Sequence, residues 1–166
     1  IPSPHYNTIR QLVDSWEDSW PLADATFPDQ LDSLVQSIIA GTAHGCCDGS
    51  YMPELSTELG AAAWIVEDPI TNQSISGTTQ TTGGEQIVNA YRSELQGIHS
   101  ILFVLTAVSI FFHLTEGAIT IGCDRISIFS RHCLPGRKTS AVGFHVSPVR
   151  SMIGKCVFSH SVGTRD

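Results

Sequence analysis

Three carboxylates stand where core-forming stretches end or turn. They are Asp48 in Cys46-Cys47-Asp48-Gly49-Ser50-Tyr51, Glu94 in Tyr91-Arg92-Ser93-Glu94-Leu95, and Asp124 in Ile119-Thr120-Ile121-Gly122-Cys123-Asp124. An ionised carboxylate at the edge of an apolar core is costly to desolvate unless a cation meets it. Oxygen donors arriving from separate elements suit a hard divalent ion such as Mg²⁺, which accepts a few carboxylates and keeps several of its waters. Each acid also has a plainer use: Asp48 as a turn former before Gly49, Glu94 as a partly exposed helical acid, Asp124 as the N-cap of a helix beginning at Arg125. A shared cation accounts for all three together.

The elements around them follow from hydrophobic period and turn chemistry. Strands are expected over about 42–48, 60–67 and 73–82, the third polar and threonine-rich as a half-exposed strand should be. Asp68-Pro69-Ile70-Thr71-Asn72 reads as the turn between the second and third, and Gly83-Gly84 closes the run. A helix is expected from about Glu85 to Leu114, with Ile87, Tyr91, Leu95, Ile98, Leu102, Leu105 and Val108 as its apolar face and Glu94 on or beside it. A strand from Ala118 to Cys123 then delivers Asp124, and Arg125-Ile126-Ser127-Ile128-Phe129 opens another helix. The apolar run Ile98–Leu114 has 17 residues, short for a bilayer span, and contains His99, Ser100, Ser109 and His113. With Glu94 just upstream, it reads as a helix covering a sheet, and a membrane partner is not expected.

The domain reading is an N-terminal helical or irregular extension over 1–41, an α/β core over 42–130, and a basic, poorly patterned segment over 131–166. Pro2, Pro4, Pro21 and Pro28 punctuate the extension, and a helix follows Pro28. Charge divides the same way. Residues 1–124 hold 15 acids against Arg10 and Arg92, whereas 125–166 hold seven Lys and Arg against Asp166. An acidic body does not favour delocalised phosphate binding, but it is compatible with a nuclease whose carboxylates are neutralised by its ions. Five cysteines, an odd number without C-x-x-C spacing, together with no recognisable signal peptide, suggest reduced thiols in an intracellular protein, nuclear or cytoplasmic. Cys133, His145, Cys156 and His160 match no common zinc spacing, and neither G-x-G-x-x-G nor a P-loop occurs, so no small-molecule cofactor is expected.

The order strand–strand–strand–helix–strand–helix, with Asp48-Gly49-Ser50 on the first strand, Glu94 on the helix and Asp124 after the fourth strand, resembles ribonuclease H. More narrowly, it resembles the ribonuclease H-like domains joined to retroelement reverse transcriptases. The likeness covers residues 42–130, with the acids 46 and 30 residues apart. It implies a mixed sheet with helices packed on it and a Mg²⁺-dependent endonuclease that cuts the RNA strand of RNA–DNA hybrids, with Mn²⁺ able to substitute. By the same likeness Asp48 would bridge two ions, Glu94 would bind one, and Asp124 would lie near the first pair. Gly49 and Ser50 would touch substrate phosphate, and Tyr51 is as readily a packing residue. The family's fourth carboxylate, an Asp on a late helix, has no counterpart, because no Asp or Glu occurs between Asp124 and Asp166. The domain therefore reads as C-terminally incomplete, with weak or absent cleavage expected from this chain alone. The alternative is a non-catalytic remnant that binds nucleic acid or a protein partner.

Overall fold

The computed structural model describes residues 5–81, 83–84, 87–123, 140–146 and 156–161. The protein is α/β. Its strands are β1 (Ala43–Tyr51), β2 (Gly60–Glu67), β3 (Ser74–Thr81), β4 (Glu116–Cys123), β5 (Ser140–Val146) and β6 (Cys156–Ser161). They form one mixed sheet in the order β3-β2-β1-β4-β5-β6, in which only β1 and β4 run parallel. That parallel pair requires a crossover, and helix α3 (Ala90–Phe111) supplies it. Two short helices, α1 (Ile9–Asp14) and α2 (Asp32–Ala40), and a 3₁₀ turn at Trp20–Leu22 precede the sheet.

The sheet buries one face. Along β2 the residues alternate, with Gly60, Ala62, Trp64 and Val66 buried and Ala61 and Ala63 exposed. The partners Cys47 and Ile75 share the buried side, and Ile119 and Ile121 continue it on β4. Ile101, Val104, Leu105 and Val108 of α3 close over this face, as do Ile9, Val13, Leu22, Leu34 and Ile38 from the N-terminal elements. By length and composition α3 could span a membrane, yet half of its most apolar stretch is buried inside the protein.

Local signals fix the helix ends. Asn89 caps α3, its side-chain oxygen accepting from the Arg92 amide at 2.8 Å. No side chain of its own caps α2. Instead Gln73, from the far side of the β2–β3 turn, accepts from the amides of Ser33 at 2.9 Å and Leu34 at 3.2 Å. Gly41 ends α2 at φ +73°, and the following Thr42 amide returns to the Ser37 carbonyl at 2.8 Å. In the N-terminal segment, the Arg10 guanidinium donates to the carbonyls of Leu22 at 3.1 Å and Ala25 at 2.5 Å and lies 5.1 Å from the centre of the Phe27 ring.

Several expectations change in the structure. The sheet is wider than the four strands expected, because β5 and β6 continue it from β4 within the stretch that showed no sustained period. Val142, Phe144 and Val146 do alternate in β5, and pairing satisfies β4 along what would otherwise be an open edge. Strand β1 does not run out at Asp48 but stays paired with β2 through Tyr51 and Gly60, so the turn lies in 52–59. Helix α3 is shorter than the expected 85–114; Leu105, Val108 and Glu94 face the core as expected, but the start of the expected apolar face does not. Ile87, Tyr91 and Leu95 are exposed, whereas Ser93, Gly97 and Ser100 face the core with Ile101 and Val104. Small residues win this face because they let the helix backbone approach the sheet closely.

Candidate functional site

The site forms where β1 passes under the first turns of α3. Cys47 and Gly49 point towards the helix, with Cys47 Sγ 4.0 Å from the Glu94 carbonyl oxygen. A Cβ placed on Gly49 would lie 2.6 Å from the Ser93 carbonyl carbon and 2.9 Å from the Glu94 Cα. Only a residue without a side chain fits there. A second close approach stands one helical turn on, where a Cβ on Gly97 would come 2.6 Å from that of Cys47. Two glycines, one from each element, thus draw the Asp48 segment and the Glu94 turn together at backbone contact.

Hydroxyls lock the same corner. Thr81 Oγ1 donates to Ser93 Oγ at 3.1 Å, and Ser93 Oγ donates to the Asn89 carbonyl at 3.2 Å. Ser93 is fully buried and Thr81 nearly so, and a side chain at Gly60 would collide with the Ser93 hydroxyl. The ends of β1, β2 and β3 are therefore all tied to the turn of α3 that carries Glu94. Gly97, next to Glu94, is expected from the sequence to let helix and sheet approach closely, and it does; Ser93, Thr81 and Gly60 were not picked out. Their signal was the set of small residues at helical spacing, Ser93, Gly97 and Ser100, opposite glycines of the strands.

The sequence-derived candidates fall as follows. Asp48 lies in β1 beside Ala63 of β2 and is exposed. Glu94 lies in α3 on its sheet-facing side and is 2% exposed. Their backbones are neighbours across Gly49, while the alternation of β1 turns Asp48 to the side away from Cys47 and Gly49. Gly49 is part of the interface with α3 and Ser50 is exposed beside Ala61. Asp124 lies outside the described residues. The parallel register pairs Cys47 with Cys123, the residues that immediately precede Asp48 and Asp124 in the chain.

Carboxylate oxygens are hard donors and fit Mg²⁺ or Mn²⁺. Among the described residues no group of three His, Cys, Asp or Glu side chains is assembled around a common point. At this corner Asp48 and Glu94 are close in backbone, with Asp48 exposed on the side of β1 away from α3 and Glu94 buried on the sheet-facing side of the helix. Shifted titration occurs away from this corner. The Thr71 hydroxyl, then the Ile70 amide, hold the Asp68 carboxyl below its usual range in the β2–β3 turn. Burial pushes the His99 imidazole down, on the part of α3 that meets Trp20. Comparison of the chain with protein-family models, with curated proteins and with solved structures finds no match.

Proposed function

We infer that the chain is a ribonuclease H-type domain of retroelement descent, built to act on the RNA strand of an RNA–DNA hybrid with divalent metal. The observation that carries this reading is the glycine contact. Gly49 seats the Asp48 strand directly on the backbone of Glu94, in a sheet whose parallel β1–β4 pair is joined through α3. That element order supports the likeness described from the sequence.

In this reading Asp48 and Glu94, with Asp124 as the third candidate, hold Mg²⁺ or Mn²⁺. The bound metal supplies an activated water and neutralises charge on the scissile phosphodiester. The chain's own residues contribute position. Asp48 reaches solvent, where a duplex backbone can approach, while Glu94 is held from within by the Ser93–Thr81 lock. Gly49 keeps the strand and helix at fixed separation, and the exposed Ser50 offers a hydroxyl to phosphate.

Incubating the whole chain with an RNA–DNA hybrid and Mn²⁺ tests the activity. The expected result is slow cutting of the RNA strand alone, lost in Asp48→Asn. Metal binding without any cutting would instead favour the non-catalytic remnant. Failure to bind metal at all would remove the nuclease ancestry.

A further inference from the structure

We propose that Cys47 and Cys123 form a reversible disulfide that latches β1 to β4 at the mouth of the crevice between them. The sheet has two halves, β3-β2-β1 and β4-β5-β6, and the parallel β1–β4 pairing is the seam that joins them. Ala43 to Cys47 pair there with Ile119 to Cys123. Cys47 and Cys123 are the last pair of that register, and beyond them β1 continues along β2 through Tyr51. From this end the chain leaves β1 towards β2 on one side and β4 towards β5 on the other. In an open α/β sheet, the carboxyl ends of two parallel strands at such a switch point frame a ligand crevice. The two cysteines stand at its threshold, one residue before Asp48 and Asp124.

The register suits the bond. Neighbouring strands lie about 4.8 Å apart, and residues directly opposite each other belong to the same face of the sheet. A disulfide joins residues whose Cα atoms are about 4.4–6.8 Å apart, so adjacent paired positions are within its span. Cys46 belongs to the other face and is opposite Gly122, which carries no thiol. Helix α3 fixes Cys47 from above, with Sγ 4.0 Å from the Glu94 carbonyl oxygen and Gly97 packed against its Cβ. Cys47 is 3% exposed, so exchange with a thiol or disulfide in solution waits on local opening of this corner.

The oxidant is a small disulfide of the glutathione class. One cysteine thiolate attacks it, a mixed disulfide forms and one glutathione thiolate leaves. The other cysteine thiolate then attacks the protein sulfur of that mixed disulfide, the Cys47–Cys123 bond forms and the second glutathione thiolate leaves. The two thiol protons end on the two glutathiones, so the protein pair gives up two electrons and the small disulfide takes them. Reduced glutathione in excess reverses both steps, and inside a cell such a bond is a transient, redox-sensing one. Oxidation pins the seam beside Asp48, whereas the reduced seam rests on strand pairing and packing. The inference concerns the cysteines and stands whether or not Asp48 holds a metal.

Refolding the whole chain from urea in a glutathione redox buffer gives all five cysteines access to exchange. Should the chain not refold, prolonged incubation of the native protein with oxidised glutathione gives the same readout. After acid quenching and alkylation, peptide mass spectrometry should find Cys47 joined to Cys123, and dithiothreitol should reverse the bond. Oxidation should raise Tm by about 9 °C, the middle of the ranges for one disulfide in a chain of this size. Cys123→Ala should abolish both the bond and the shift, whereas Cys46→Ala should keep them. The bond is mapped in the wild-type chain, so the test does not depend on a variant folding. A dominant bond to Cys46, Cys133 or Cys156, glutathione adducts without a protein disulfide, or five thiols that all remain reduced overturns the proposal. None of these outcomes bears on Mg²⁺ binding, which stands or fails by its own titration.

Discussion

Substituting Gly49 by Ala puts the β1–α3 contact under direct strain. The added methyl would stand 2.6 Å from the Ser93 carbonyl carbon and 2.9 Å from the Glu94 Cα, where ordinary contact begins at 3.4 Å. These and the still closer Glu94 amide nitrogen are backbone atoms, so no rotamer change relieves the clash, and the start of α3 must retreat by about 1 Å. That retreat also draws Gly97 from Cys47 and stretches the 3.1 Å bond between Thr81 and Ser93. Overpacking of this kind costs about 1–3 kcal/mol, and alanine's smaller unfolded-state entropy returns only about 0.4–1 kcal/mol. The middle of each range leaves a net cost of about 1.3 kcal/mol; for a chain of this size each kcal/mol lowers Tm by about 2–4 °C, so a fall of about 3–5 °C is expected by far-ultraviolet circular dichroism. Gly84→Ala is the control, because a Cβ there meets nothing within 4 Å, and it should be neutral. A Gly49→Ala protein that melts with wild type refutes the close approach, and with it the juxtaposition of Asp48 and Glu94.

Other perturbations have definite signs. Gln73→Ala uncaps α2 by removing the acceptor for the Ser33 and Leu34 amides, and should cost about 1 kcal/mol in urea denaturation. The folded-state pKa of Asp68 is depressed by the Thr71 hydroxyl and the Ile70 amide, so its stabilising contribution is complete above the unfolded value of about 3.9. That contribution is lost as pH falls through the folded value, so the stability gap between wild type and Asp68→Asn in urea melts should close below about pH 4. The His99 pKa is depressed by burial, which makes charging costly, so stability should decline as pH drops through about 6.5 and level off below the folded value. His99→Gln should flatten that slope in thermal melts.

Strands β1 to β4 were legible as short apolar or β-branched runs bounded by turn residues, as in Gly60-Ala61-Ala62-Ala63-Trp64-Ile65-Val66 closed by the Asp68-Pro69 turn. The existence of α3 was legible too, with Glu94, Leu105 and Val108 turned inward, but not which residues of its first turns face the sheet. Counting large apolar residues selects Tyr91 and Leu95, whereas the structure buries Ser93 and Gly97, since backbone proximity and not side-chain size governs packing there. Strand β5 escaped notice because the alternation of Val142, Phe144 and Val146 with Gly143 and His145 is short and lies among the prolines, glycines and basic residues of 130–166. At the candidate site, Gly97 beside Glu94 was legible as a position that lets helix and sheet approach closely, as its nearness to Cys47 bears out. The matching role of Gly49 was not, because a glycine's closeness to a partner 45 residues away leaves no local trace.

Calorimetric titration of Mg²⁺ into the whole chain, beside Asp48→Asn and Glu94→Gln, tests the proposed metal site most directly. Asn at the exposed position 48 and the isosteric Gln at position 94 remove a donor's charge while keeping its shape. The account predicts saturable Mg²⁺ binding in wild type that either substitution weakens by an order of magnitude or more. Binding indifferent to both residues, or none in wild type, would contradict it.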